Sequence, residues 1–258
     1  MTRGPPDARL ADAALARRLL RAPPMNEPNA PLRPIAPGLW EVERIVHGSG
    51  LRARLRMVVV ALPGGGLWLH SPVAIDDGLA TELAALGPVR EIVAPNRFHH
   101  LFAAAAKARY PEATLWGAPG LAAKRPAIPF DRALEAGAQP WPEALEAHLM
   151  GGRPAISEVV FLHRPSRTLI CTDLLFNLQE EPQWLTRLLY RAIGSFRALG
   201  PNRVARLLTR DRRAAAASYE VLLGWRARRI VMAHGDVLED MCEERLRAAL
   251  EPLIAAAS

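Results

Sequence analysis

The sequence predicts an α/β or α+β domain built from layered sheets. Short apolar runs alternate with stretches of helical periodicity, and glycine- or proline-marked turns join some of those runs directly into hairpins. Half of the 258 residues are hydrophobic and 23% are charged, enough apolar surface for a sizeable core and too much for wholesale disorder. No apolar run approaches the roughly 18 residues that a membrane span requires. The two cysteines, Cys171 and Cys242, cannot frame a disulfide scaffold or a thiolate zinc site, so a reducing, cytoplasmic setting is expected.

The elements follow in order. Residues 1 to 34 hold Pro5, Pro6, Pro23, Pro24, Pro28, Pro31 and Pro34, with one short amphipathic stretch from Leu10 to Leu20. Residues 1–33 therefore read as a tail outside the fold, with Met25 as the expected natural start, and 34–258 as one domain. Leu39 to Val42 reads as a strand. Leu55 to Leu62 and Leu67 to His70 flank Pro63-Gly64-Gly65-Gly66 and predict a hairpin. Asp76-Asp77 offers an N-cap and an acidic first turn for a helix from Gly78 to Leu86, stopped by Gly87-Pro88.

Val89 to Ala94 is a strand, His99 to Tyr110 a helix, and Ala113 to Trp116 a strand, followed by proline-punctuated loops over 117–142. Ala144 to Met150 and Glu158 to His163 read as strands. Pro165-Ser166-Arg167 turns the second of these into Thr168 to Asp173, a second hairpin. Helices are predicted over Leu185 to Leu199, Asp211 to Gly224 and Glu239 to Leu253, with a last strand from Arg229 to Ala233.

Three of these strands finish on or near titratable residues. Val89 to Ala94 leads through Asn96 to His99-His100, Thr168 to Thr172 ends on Asp173, and Arg229 to Ala233 ends on His234-Gly235. Ligand sites in α/β sheets collect at the carboxyl ends of strands, where loops open and side chains converge. Imidazole and carboxylate are also donors that zinc, iron and manganese accept. Each residue has a plainer reading. Asp173 reads equally as a cap, His234 as a hydrogen-bonded core histidine, and His99 or His100 as the first turn of a helix. Helix neighbours point about 100° apart, so only one of that pair can face a given site.

The order of these features resembles the metallo-β-lactamase superfamily, in an uncharacterised branch carrying a domain of unknown function. The resemblance spans roughly Pro34 to Leu253 and rests on Gly38-Leu39-Trp40, Ile92-Val93-Ala94-Pro95-Asn96 with His99-His100, Tyr110-Pro111-Glu112-Ala113, Ala118-Pro119-Gly120-Leu121, Glu158-Val159-Val160-Phe161, Ser166-Arg167-Thr168-Leu169-Ile170, Thr172-Asp173-Leu174 and Ala233-His234-Gly235. It implies a four-layer αβ/βα sandwich with a metal site at the sheet edges. The superfamily's His-x-His-x-Asp-His signature is degenerate here. Asn96-Arg97-Phe98-His99-His100-Leu101 admits two registers, one placing His100 on the aspartate and the other placing His99 there and His100 on the last histidine.

The middle histidine, expected near Gly151 to Ser157, is missing, and His148 lies just ahead of that loop. Asp173 matches the family's metal-bridging aspartate and His234 its late histidine ligand. With His99 or His100 these leave three or four expected ligands, enough for at most one divalent metal (zinc, iron or manganese), Asp173 also being the expected catalytic residue. His70, Asn96 and Glu158 are expected to support the ligands. The function so implied is metal-assisted hydrolysis of an unidentified substrate, with a non-catalytic binding protein as the alternative.

Nucleic acid is a weaker expectation. Lys107 and Lys124 are the only lysines in a chain of net charge +7, and the arginine, alanine and proline usage reads as GC-rich coding bias. Arg187, Arg191, Arg197, Arg203, Arg206, Arg210, Arg212 and Arg213 crowd one stretch beside Trp184, Tyr190 and Phe196. The plain reading there is a helix pair with solvated arginines and core aromatics.

Overall fold

Strands such as Val58-Val59-Val60 and Leu67-Trp68-Leu69 are apolar at every position, so both of their faces need cover. The computed structural model, which describes residues 30–48, 50–135 and 140–257, meets that need with two stacked sheets and a helical layer outside each. Residues 1–29, with most of the expected tail and Met25, lie outside the described residues.

The first sheet has seven strands in chain order: β1 (Arg33–Ala36), β2 (Leu39–Gly48), β3 (Leu51–Leu62), β4 (Gly66–His70), β5 (Val89–Ala94), β6 (Thr114–Gly117) and β7 (Arg132–Ala133). β1 to β4 pair antiparallel, and β4 to β7 parallel. Its helices are α1 (Asp77–Leu86), α2 (Ala103–Arg109) and α3 (Leu121–Lys124). The second sheet runs in the order β11 (Arg229–Val231), β10 (Thr168–Ile170), β9 (Val159–His163), β8 (Leu145–Leu149). The remaining helices are α4 (Trp184–Ala192), α5 (Arg203–Leu207), α6 (Arg212–Gly224) and α7 (Cys242–Ala255).

Period-two alternation sorts the side chains into layers. Leu67 and Leu69 pack outward with Leu79 and Leu83 of α1 and Ala103 and Ala106 of α2. Between them Trp68 points the other way, meeting Val93, Phe161, Ile170 and Val231 in the layer between the sheets. On the far side Val160, Leu162 and Leu169 pack against Tyr219 and Leu222 of α6 and Leu246 and Leu250 of α7. Truncating a fully buried side chain such as Trp68 costs about 3–5 kcal/mol.

The two expected hairpins form, Leu62 opposite Gly66 and His163 opposite Thr168. Several boundaries moved. β2 and β3 continue as one long hairpin to Gly48 and from Leu51, well beyond the expected Val42 and Leu55. The helix expected from His99 begins only at Ala103, because the Asn96 side chain captures the Phe98 and His99 amides and turns the chain first. The helix expected over Leu185 to Leu199 stops at Ala192. Gly194 follows in the left-handed region at φ +74°, and the Ser195 amide donates back to the Tyr190 carbonyl.

Candidate metal centre

Parallel pairing brings four strand ends to one edge of the sandwich. In the second sheet Ile170 stands opposite Val231, so Asp173 and His234, each three residues further on, emerge side by side. In the first sheet β4 ends at His70, and Ser71 follows with φ +54°, a left-handed conformation uncommon for a non-glycine residue and often found where side chains are aimed at a site.

Asn96, fully buried after β5, ties the two sheets together. Its Oδ1 accepts from the Phe98 and His99 amides, both at 2.7 Å. Its Nδ2 donates to Thr172 Oγ1 at 2.8 Å and Asp173 Oδ2 at 2.7 Å, so all the hydrogen-bonding capacity of the amide is engaged. Glu158 supports the same corner: its Oε1 accepts from the Thr172 amide (2.6 Å) and hydroxyl (2.8 Å). Burial first, and then the nearby Asp173 charge, push the Glu158 carboxyl up to about 7.

The His234 segment is clamped from β3. The buried Arg56 guanidinium donates to the Met232 and Gly235 carbonyls, both at 2.6 Å, and pairs with Glu41 and, at 3.0 Å, with Glu43. Gly235 must be glycine: at φ +107° a Cβ would lie 2.4 Å from the Asn177 carbonyl oxygen.

The product is a compact triangle of donor atoms. His99 Nε2 lies 3.2 Å from His234 Nε2, and each lies 3.4 Å from Asp173 Oδ1. The edge of a tetrahedron is about 1.63 times its centre-to-corner distance, so metal–ligand bonds of about 2.0–2.1 Å set edges of roughly 3.3–3.4 Å. The observed edges lie within about 0.1 Å of that range.

The far side of each ligand is held. His99 Nδ1 bonds Ser71 Oγ at 2.8 Å, His234 Nδ1 donates to the Arg54 carbonyl at 2.8 Å, and Asp173 Oδ2 accepts from Asn96. Outer partners of this kind fix ring orientation and leave the inner atoms as donors. Phe176 stacks on the His234 ring at 5.5 Å and 6°. Burial alone would raise the Asp173 carboxyl, but the His99 and His234 imidazoles outweigh it and hold the group well below the usual range. For His234, burial acts downward and the Asp173 hydrogen bond and charge prevail, raising the imidazole. The group is a two-nitrogen, one-oxygen set of the kind zinc, iron or manganese accepts.

The triangle opens into a cleft of about 410 Å³ whose walls are mainly apolar, among them Leu55, Phe98, Phe102, Ile156, Phe176 and Leu208. No lysine or arginine lines it among the described residues.

The family model of a domain of unknown function (DUF4336) matches residues 38–199. The chain belongs to this family. No curated protein matches it. Solved structures similar to it include metallo-β-lactamases. DIM-1 metallo-β-lactamase exposed to ceftazidime is 13% identical with a TM-score of 0.60, covering 88% of this chain and 99% of that one. FIM-1 from Pseudomonas aeruginosa in its mono-zinc form is 14% identical with a TM-score of 0.60, covering 89% and 97%. An enzyme from Hirschia baltica is 12% identical with a TM-score of 0.59, covering 86% and 97%. At such identities the likeness shows the fold, the αβ/βα sandwich that the sequence resemblance implied.

In this DUF4336 family member the expected residues separate, with His99 and Asp173 inside the matched segment and His234 beyond it. His99, Asp173 and His234 come together, with Asn96 and Glu158 behind them. His100 does not join them: it follows His99 in the turn and its Nε2 accepts from Arg125 at 2.8 Å. His70 is buried with its ring stacked on Trp68 at 5.3 Å, and burial and the neighbouring His99 lower its pKa to about 3. The β8–β9 loop, where a middle histidine was sought, presents Ile156 to the cleft, and His148 stays in β8.

Sequence reasoning passed over Ser71, Thr172, Phe176 and Arg56. Ser71 and Thr172 were within reach of the strand-end rule, one position from residues it did single out. Arg56 and Phe176 carried no local signal, since both act through segments far away in the chain.

Proposed function

We propose that His99, Asp173 and His234 hold one divalent metal ion, and that the protein is a metal-dependent hydrolase acting on an uncharged ester or thioester. The triangle of donor atoms with edges of 3.2–3.4 Å carries this reading. A bound ion supplies Lewis acidity and brings the pKa of water down toward about 7. The chain's own residues do the rest. Asp173, held ionised and anchored through Oδ2, keeps Oδ1 available to ligate and to orient. His234, its Nδ1 proton committed to the Arg54 carbonyl, keeps the Nε2 lone pair inward. Ser71 sets the His99 ring. Phe98, Phe102, Phe176 and Leu208 line the cleft with apolar surface, and a wall with no lysine or arginine among the described residues suits a neutral acyl group better than a carboxylate or phosphate.

One observation favours a second reading, a non-catalytic member of the fold. The same short edges allow a proton, shared between His99 Nε2 and His234 Nε2 beside the Asp173 carboxylate, to close the site without metal. Plasma mass spectrometry on untagged protein separates the two. We expect about one zinc, iron or manganese ion per chain, lost in Asp173→Ala and in His234→Ala, with turnover of a p-nitrophenyl ester or an acyl thioester that follows the metal. Wild-type protein that stays metal-free after dialysis against those ions sinks the hydrolase reading.

A further inference from the structure

We infer that the outer face of α4, with α5 beside it, docks on an anionic phospholipid surface. Helix α4 is mounted with its apolar side outward. It buries Thr186 and Tyr190: the Thr186 hydroxyl accepts from the Arg52 amide at 3.0 Å, and Tyr190 packs with Phe176 and Leu178. Trp184 is left 66% exposed and Leu188 56%, with Leu185 and Leu189 exposed beside them. A surface helix of a water-soluble fold does the reverse, turning its leucines to the core. Helix α5 joins α4 through the Arg203 amide on the Ile193 carbonyl (2.8 Å) and the Arg203 guanidinium on the Ala192 carbonyl (3.0 Å). It adds Val204 and an 85% exposed Leu207.

Charge selects the occupant. Residues 184–213 carry eight arginines and a single acid, Asp211, whose side chain caps α6 by accepting from the Ala214 amide. Among the described residues none of these arginines pairs with a carboxylate; Arg187, Arg197, Arg203 and Arg206 donate to backbone carbonyls instead. Exposed leucines and a tryptophan on a helix, set among unneutralised arginines, are the composition of an interfacial helix. The aliphatic groups sink to the acyl boundary, the indole sits at headgroup level and guanidinium groups meet phosphates. A single strand of nucleic acid fits less well, since leucines offer bases nothing to stack on. The surface also runs into the cleft, because Val204 and Leu208 line it.

The test uses the full chain and vesicles, and needs no metal. Flotation with phosphatidylcholine vesicles containing phosphatidylglycerol is expected to carry the protein up, and pure phosphatidylcholine to leave it behind. Binding should weaken about tenfold or more in Trp184→Ala/Leu188→Ala, which removes buried apolar area, and in Arg187→Glu/Arg191→Glu, which reverses surface charge. All four positions are solvent-facing or half-buried, and circular dichroism melting checks that both variants fold. Wild type that fails to float, or variants that float as well as wild type, overturn the proposal. So does tight retention on single-stranded RNA without vesicle binding, or a dimer in sedimentation equilibrium that Leu188→Glu dissolves. The former makes the face a nucleic-acid surface and the latter a contact between two copies.

Discussion

The seven-stranded sheet delivers one donor atom to the triangle, His99 Nε2, while the four-stranded sheet delivers two, from Asp173 and His234. The difference lies in how each sheet ends. β10 and β11 are parallel and in register, and a ligand placed three residues beyond each strand arrives beside its neighbour without further help. β5 is followed by a five-residue excursion to His99, which holds its shape because Asn96 binds its own loop on one side and Asp173 on the other. The first sheet supplies mostly support and the second mostly ligands. One edge of the sandwich can therefore hold a triangle of donor atoms fed unequally by its two sheets, because the buried Asn96 amide does the structural work on the poorer side.

Five substitutions sharpen or break that comparison. The largest effect is expected at Arg56, which clamps the His234 segment while neutralising buried Glu41. Arg56→Met leaves that carboxylate only the half-exposed Arg33 and should cost about 3 kcal/mol. Urea unfolding measures it, and a loss within experimental error would mean that the clamp is redundant. Next, His99→Ala and His100→Ala should diverge. The first should lower zinc affinity by about a hundredfold or more, the second by at most a few-fold, because only His99 faces the triangle. Equal losses in calorimetric titration would restore His100 as a ligand.

Glu158 offers a pH signature in chelator-treated protein. Its folded pKa is raised, to about 7 from 4.5, so between those values the folded chain holds a proton that the unfolded chain has released. Stability contributed by this group is present below about 4.5 and falls as pH rises toward 7. Glu158→Gln, which can still accept from Thr172, should remove about 1–3 kcal/mol of that fall relative to wild type. Parallel stability–pH curves for the two proteins would contradict it. The smallest effect is expected at Ser71, which supports His99 through one hydrogen bond. Ser71→Ala should weaken metal binding by about tenfold and leave folding nearly unchanged; a loss as large as that of His99→Ala would show that the hydroxyl does more than orient the ring.

The layered α/β class was legible because it is written in local chemistry. Pro63-Gly64-Gly65-Gly66 turns β3 into β4, Pro165-Ser166-Arg167 turns β9 into β10, and Asp76 and Asp211 cap the helices that follow them. Asp173, His234 and the His99-His100 pair stood out for a related reason: polar residues ending apolar strands point to a site wherever those strands lie. What stayed illegible depended on contacts between distant residues. The choice between His99 and His100 was settled by Asn96, which turns the loop before the helix and presents one ring to Asp173 and the other to Arg125. The orientation of α4 was settled the same way. Its pattern of leucines and arginines reads as a helix with a buried apolar face, yet Thr186 and Tyr190 find their partners on β3 and beside Phe176, and the leucines are left outside. Periodicity fixes which residues of a helix share a face. Only the surface it packs against decides which face goes in, because burial energy depends on the neighbour as much as on the helix.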